Sequence, residues 1–192
     1  MKARDAALWL LALLPLLSGN VAARETALAP GTIALGDGSA QALFSPWDDI
    51  EGAVVASLRA ARQQVLVQAF SFTSRPIARA LVEAKRRGVD VRVTADAAET
   101  QRLDGGRIPE LAAAGIAVFI EERYQSAHNK VMVIDADLPT STVITGSYNW
   151  SFAAQRRNAE NVLIMRGQTA LAGRYRMNWE RHQADARPYT RR

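Results

Sequence analysis

The sequence predicts an α/β protein, a three-layer α/β/α sandwich around a mixed, mostly parallel central sheet. Apolar runs of strand length alternate along the chain with stretches of helical period. Nearly every strand candidate is apolar at consecutive positions, as in Val65-Leu66-Val67. Side chains alternate across a strand, so such a run has to be covered on both faces.

Taken in order, the first segment is a leader. Lys2 and Arg4 precede an apolar stretch from Ala6 to Leu17, and the small residues Val21-Ala22-Ala23 follow. A charged start, a short apolar centre and a small-residue site read as a secretory signal peptide over residues 1–23, cleaved near Ala23. The stretch contains Pro15 and falls short of the roughly 20 apolar residues that span a bilayer. A periplasmic or secreted protein without a stable membrane anchor is expected. Residues 24–41 read as a linker entering a first short strand, and residues 42–192 as one domain.

Within the domain, Ser45-Pro46-Trp47-Asp48 suggests a helix start, continued by Ile50, Val54 and Leu58 at four-residue spacing. Val65 to Phe70 is a strand, and Ser74 to Arg87 a helix stopped by Gly88. Val89, Val91 and Val93 mark the next strand. Thr100 to Arg107 reads as a polar loop, Ile108 to Ala114 as a short helix and Ile116 to Ile120 as a strand. Three further strands are expected over Val131–Ile134, Thr142–Thr145 and Asn161–Met165. A last helix places Leu171, Tyr175 and Trp179 on one face.

Composition narrows the chemistry. The net charge of +5, lowered by one if the leader is removed, favours polyanionic partners. Without cysteine there are no disulfides and no thiolate zinc sites. Two histidines, His128 and His182, are too few for a histidine-rich metal centre, so neither metal nor cofactor is expected. His182, between Arg181 and Gln183 near the end of the last helix, reads as solvated.

His128 is the other case. With Asn129 and Lys130 it enters a strand that ends at Asp135. Residues two apart on an extended chain share a face, so His128 and Lys130 can meet one ligand. An imidazole can attack the phosphorus of a phosphate diester while an ammonium holds the non-bridging oxygens. Ser147 and Asn149, also two apart, follow Gly146 at the end of the next strand and offer a hydroxyl and an amide. Glu160 stands at the start of another strand. Trp150 and Phe152 could stack on bases, although core packing is the commoner fate of such residues.

The ordered set His128, Lys130, Asp135, then Gly146, Ser147, Asn149, resembles the HKD motif and the Gly-Ser-x-Asn signature of the phospholipase D superfamily. The stretches Ala69-Phe70-Ser71-Phe72-Thr73, Lys85 to Val91 and Asn158-Ala159-Glu160-Asn161 resemble its small Nuc-type bacterial endonucleases. The likeness runs from about Phe44 to the C-terminus. It implies His128 as nucleophile through a phosphohistidine, Lys130 and Asn149 as phosphate ligands, and Ser147 as a further donor. It also implies Glu160 as acceptor from the far nitrogen of His128. Asp135, five residues from Lys130 or roughly 16 Å along a strand, reads as structural, as does Gly146. Family members need two HKD motifs in one site, and this chain has one. The resemblance therefore implies a homodimer whose two His128 face each other across the axis. Nucleic acid, DNA or RNA, is the favoured substrate. A membrane phospholipid is the alternative, and a non-catalytic phosphate-binding module the third reading.

Overall fold

The computed structural model describes residues 32–190 apart from Gly36 and Asp104; the expected leader lies outside the described residues. Nine strands form one sheet: β1 (Thr32–Leu35), β2 (Gly38–Ser45), β3 (Gln64–Ala69), β4 (Asp90–Asp96), β5 (Ala117–Glu121), β6 (Lys130–Ile134), β7 (Thr142–Gly146), β8 (Glu160–Arg166) and β9 (Arg187–Pro188). Their spatial order is β1-β2-β8-β7-β6-β3-β4-β5-β9. Among the described residues six helices accompany the sheet: α1 (Ile50–Ala60), α2 (Arg75–Arg86), α3 (Ala97–Arg102), α4 (Ile108–Ala113), α5 (Phe152–Arg156) and α6 (Thr169–Ala184).

The sheet is mixed, but mostly antiparallel where a mostly parallel one was expected. Only β3–β4 and β4–β5 pair in parallel; the other pairings are antiparallel. The cause lies in the connections. Parallel neighbours need a crossover of a dozen or more residues, usually helical, and α2, α3 and α4 supply these between β3, β4 and β5. β6 reaches β7 through a short turn, which permits only an antiparallel return.

Strand alternation builds the two flanking layers. Val65, Val67, Met132, Ile134, Ile144 and Ile164 point to one face and pack with Ile50, Val54 and Leu58 of α1, Ile77 and Leu81 of α2, and Leu111 of α4. Leu66, Val131, Val133 and Val143 point to the other face and meet Ala172 and Trp179 of α6. The Trp179 indole N–H also donates to the carbonyl of Val67 at 2.9 Å, so the polar end of this large side chain is satisfied inside the core.

Three local expectations change. The linker expected over residues 24–41 is sheet over Thr32–Leu35 and Gly38–Gln41, with Gln41 opposite Ile164. Ser45 is the last residue of β2 rather than a helix start, and a cis Ser45–Pro46 bond follows it. The helix begins one turn later, where the Asp49 side chain caps Gly52 N–H at 2.9 Å. Part of the loop expected over Thr100–Arg107 is α3, capped by the Asp96 carboxylate on Glu99 N–H at 2.8 Å.

Candidate active site

The motif residues other than Asp135 gather at one edge of the sheet, where β2, β3 and β7 end and β6 and β8 begin. Lys130 opens β6 opposite Ala69, the last residue of β3, so its side chain emerges beside Phe70. Its ammonium lies 4.7 Å from the Phe70 ring centre and donates to the His128 carbonyl at 2.8 Å. Lys130 is only 5% exposed. Burial pulls its pKa down to about 8, while the carboxylates of Glu160 and Glu99 act in the opposite direction. A buried cation with one hydrogen-bonded partner can take up an anion.

His128 is its exposed neighbour. The imidazole packs on Phe70 with ring centres 4.4 Å apart. The loop that carries it is anchored by Asp96, whose second carboxylate oxygen accepts the Ala127 N–H at 2.8 Å. One buried carboxylate thus fixes both the start of α3 and the approach to His128.

The second signature is placed by Trp150, which is core rather than a stacking surface. Its indole N–H donates to the Gln68 carbonyl at 3.0 Å, and its own carbonyl accepts from the N–H groups of Thr73 and Ser74, both at 2.9 Å. This ties the segment after β7 to the segment after β3. Asn149 Oδ1 consequently accepts the Ser71 N–H at 3.4 Å, leaving the amide Nδ2 hydrogens for a phosphate oxygen. Ser147 Oγ accepts the Asn161 N–H at 3.1 Å and keeps its own proton to donate. Gly146 permits the close approach of β7 to β8: a Cβ there would lie 2.2 Å from the Asn161 carbonyl oxygen.

Glu160 opens β8 opposite Ser45, whose hydroxyl accepts the Glu160 N–H at 3.2 Å. The carboxylate accepts from Asn158 Nδ2 at 2.9 Å. The hydrogen bond expected between Glu160 and the imidazole of His128 is not formed. Glu160 acts instead on the ammonium of Lys130 through its charge. β7 lies between β8, which Glu160 opens, and β6, which the His128 loop enters.

Asp135 lies at the far end of β6. Its carboxylate accepts the N–H groups of Arg62, Gln63 and Gln64 at 2.7–2.9 Å, closing the α1–β3 turn. Its φ of 52° is the left-handed conformation that Asp tolerates better than most residues. His182 is half-buried rather than solvated: its Nδ1 lies 2.7 Å from the buried Glu121 carboxylate.

Two site residues had no role in the sequence reading. Phe70 lay within a quoted stretch, but nothing marked its ring as the floor under both His128 and Lys130. Glu99 lies just before the loop expected over Thr100–Arg107, outside every expected element. The spacing Asp96-x-x-Glu99 before a helix is a capping signal that could have placed it.

Comparison with known proteins agrees with this geometry. A family model described as "Cardiolipin synthase, PLD-like domain" matches residues 54–182. The chain is 39% identical over 124 residues to a phospholipase D of Rickettsia conorii, covering 65% of this chain and 59% of that protein. It is 33% identical over 137 residues to a mitochondrial cardiolipin hydrolase of Xenopus laevis, covering 71% and 62%. The chain thus spans about three fifths of the length of these curated relatives. Its fold is similar to that of Nuc, a phospholipase D family member from Salmonella typhimurium, with a TM-score of 0.70 and 30% identity over 80% of this chain and 99% of that one. With His128, Lys130, Ser147 and Asn149 at one sheet edge, Asp135 at the other end of β6 and two thirds of its length matched, the chain belongs to the phospholipase D-like family.

Proposed function

We propose that this chain is an exported, metal-independent phosphodiesterase that cleaves nucleic-acid phosphodiester bonds in a homodimeric site. One observation carries the reading: the exposed imidazole of His128 and the buried ammonium of Lys130 share the Phe70 ring at an open sheet edge. The imidazole attacks phosphorus, a nitrogen–phosphorus bond forms and the ester oxygen leaves. The twin His128 of a second copy protonates that oxygen, then removes a proton from the water that hydrolyses the phosphohistidine. Two such imidazoles titrate as a coupled pair, so neither role belongs to one subunit in advance. Lys130, the Asn149 amide and the Ser147 hydroxyl hold the non-bridging oxygens, and the lysines supply the positive field that a metal would otherwise provide.

The excess of positive charge, the exposed Arg156 and Arg157 at the end of α5, and the resemblance to Nuc-type endonucleases support nucleic acid. The second reading, a phospholipid, is favoured by relatives that are named phospholipase D and cardiolipin hydrolase. Incubating the protein with plasmid DNA, RNA and phosphatidylcholine vesicles in EDTA separates the two. Cleavage of DNA or RNA is expected, with binding that weakens steeply with salt. Turnover of lipid alone would overturn the nuclease reading.

A further inference from the structure

Of the tryptophans in the described residues, Trp150 and Trp179 are fully buried, whereas Trp47 is 82% exposed. So large an apolar side chain left in water contributes nothing to the core, yet the turn that carries it is held firmly. The Asp48 carboxylate accepts the Phe44 N–H and the Asp48 N–H donates to the Phe44 carbonyl, both at 2.8 Å. Gln155 of α5 donates to the Asp48 carbonyl at 2.9 Å and accepts the Glu51 N–H at 2.9 Å. A rigid mount for an exposed indole is what a binding platform requires.

Its place in the fold gives the platform a direction. Ser45, two residues before Trp47, pairs with Glu160, and β8, β7 and β6 then lead to Lys130. Three strand spacings amount to about 14 Å, so Trp47 lies a few nucleotides at most from a phosphate held at Lys130. Phe44 and Phe152, both half-exposed, stand nearby, and the Arg157 guanidinium lies 5.7 Å from the Phe152 ring centre.

From this placement we infer that Trp47 is a stacking platform for an unpaired nucleobase of the strand being cleaved. The inference rests on the nuclease reading and adds a residue that selects for bases splayed out of a duplex. Every base offers a π-face, so a single indole holds a strand without reading its sequence. The exposed Arg156 and Arg157 can take the adjoining phosphates. Asp48 and Asp49 follow the indole in the chain, one oxygen of each carboxylate accepting a backbone N–H. Their charges are unlike the depleted centre of a subunit interface, and each carboxylate keeps an oxygen to which an exocyclic base amine can donate.

The test compares the wild type with Trp47→Phe and Trp47→Ala in EDTA, using a short single-stranded oligonucleotide, the same sequence as duplex, and phosphatidylcholine vesicles. The wild-type indole emission should be quenched by the single strand, and the quenching should vanish in both variants. Trp47→Ala should bind the single strand about tenfold or more weakly, Trp47→Phe should restore most of the affinity, and duplex binding should change little. All three proteins should hydrolyse bis(p-nitrophenyl) phosphate equally, since that ester has no strand to stack. Single-strand affinity unchanged in Trp47→Ala would overturn the inference. So would a blue-shifted emission produced by vesicles alone, or a Trp47→Ala protein that sediments as monomer while the wild type is a dimer. A wild type that cleaves neither DNA nor RNA would defeat the nuclease reading itself, which is a distinct result.

Discussion

The two ends of β6 carry two parts of one motif under opposite conditions. At its far end the Asp135 carboxylate is surrounded by three backbone N–H donors and has little left to offer a ligand. At its near end the Lys130 ammonium is buried over an aromatic ring with a carbonyl as its hydrogen-bonded partner, and its pKa is drawn down to about 8. A short stretch of sequence therefore holds a carboxylate with three hydrogen-bonded partners, which fastens the fold, and an ammonium with one, which in the proposed reaction meets an anion.

Substitutions at the two ends should separate along that line. The largest expected effect is on turnover: His128→Ala should lower kcat about 10³-fold or more, as loss of a nucleophile does elsewhere, with circular dichroism and Tm unchanged because the side chain is exposed. Lys130→Met should cost about 10²- to 10³-fold in kcat/KM, the scale for removing one charge-stabilising donor, and should leave the fold intact because the buried cation is replaced by an apolar chain of similar length. A collapse of Tm in Lys130→Met would blur the contrast.

Asp135→Ala should invert the pattern. Three hydrogen bonds to a carboxylate are lost and three N–H groups are left without it, so denaturant unfolding should show a loss of about 3 kcal/mol. Protein that remains folded should keep its kcat. If kcat falls instead while stability holds, Asp135 belongs with the chemistry and the division fails.

A finer effect concerns pH. The Lys130 ammonium is present below its pKa and lost as pH rises through about 8, so kcat/KM should decline on that side. Glu160 raises this pKa by its charge, so Glu160→Gln should move the alkaline limb to lower pH. A limb that stays in place would remove Glu160 from the electrostatics of Lys130.

Much of this was legible in the sequence where local pattern and tertiary role coincide. Val65-Leu66-Val67 and the four-residue spacing of Ile50, Val54 and Leu58 named strand and helix because burial on two faces or one imposes those periods. The placement of His128, Lys130, Ser147 and Asn149 at one sheet edge was legible because residues at ordered strand ends come together there. Strand direction was not legible, since it depends on whether a connection is long enough to cross over. Nor was the partner of Glu160, which is decided by strands far apart in sequence, or that of His182, whose Glu121 lies 61 residues away. Trp47 stood in an apparent helix start because Ser-Pro-x-Asp looks alike in a capped helix and in a tight turn.

The central claim is that one chain supplies only half of a reacting centre. Subunit mixing measures this directly: His128→Ala protein is exchanged in rising proportion into wild type at constant total concentration, and hydrolysis is followed in EDTA. If each site needs both imidazoles, a mixed dimer is inactive and activity falls as the square of the wild-type fraction. A fall in direct proportion to that fraction would show that a single chain completes the reaction by itself, and would contradict the account.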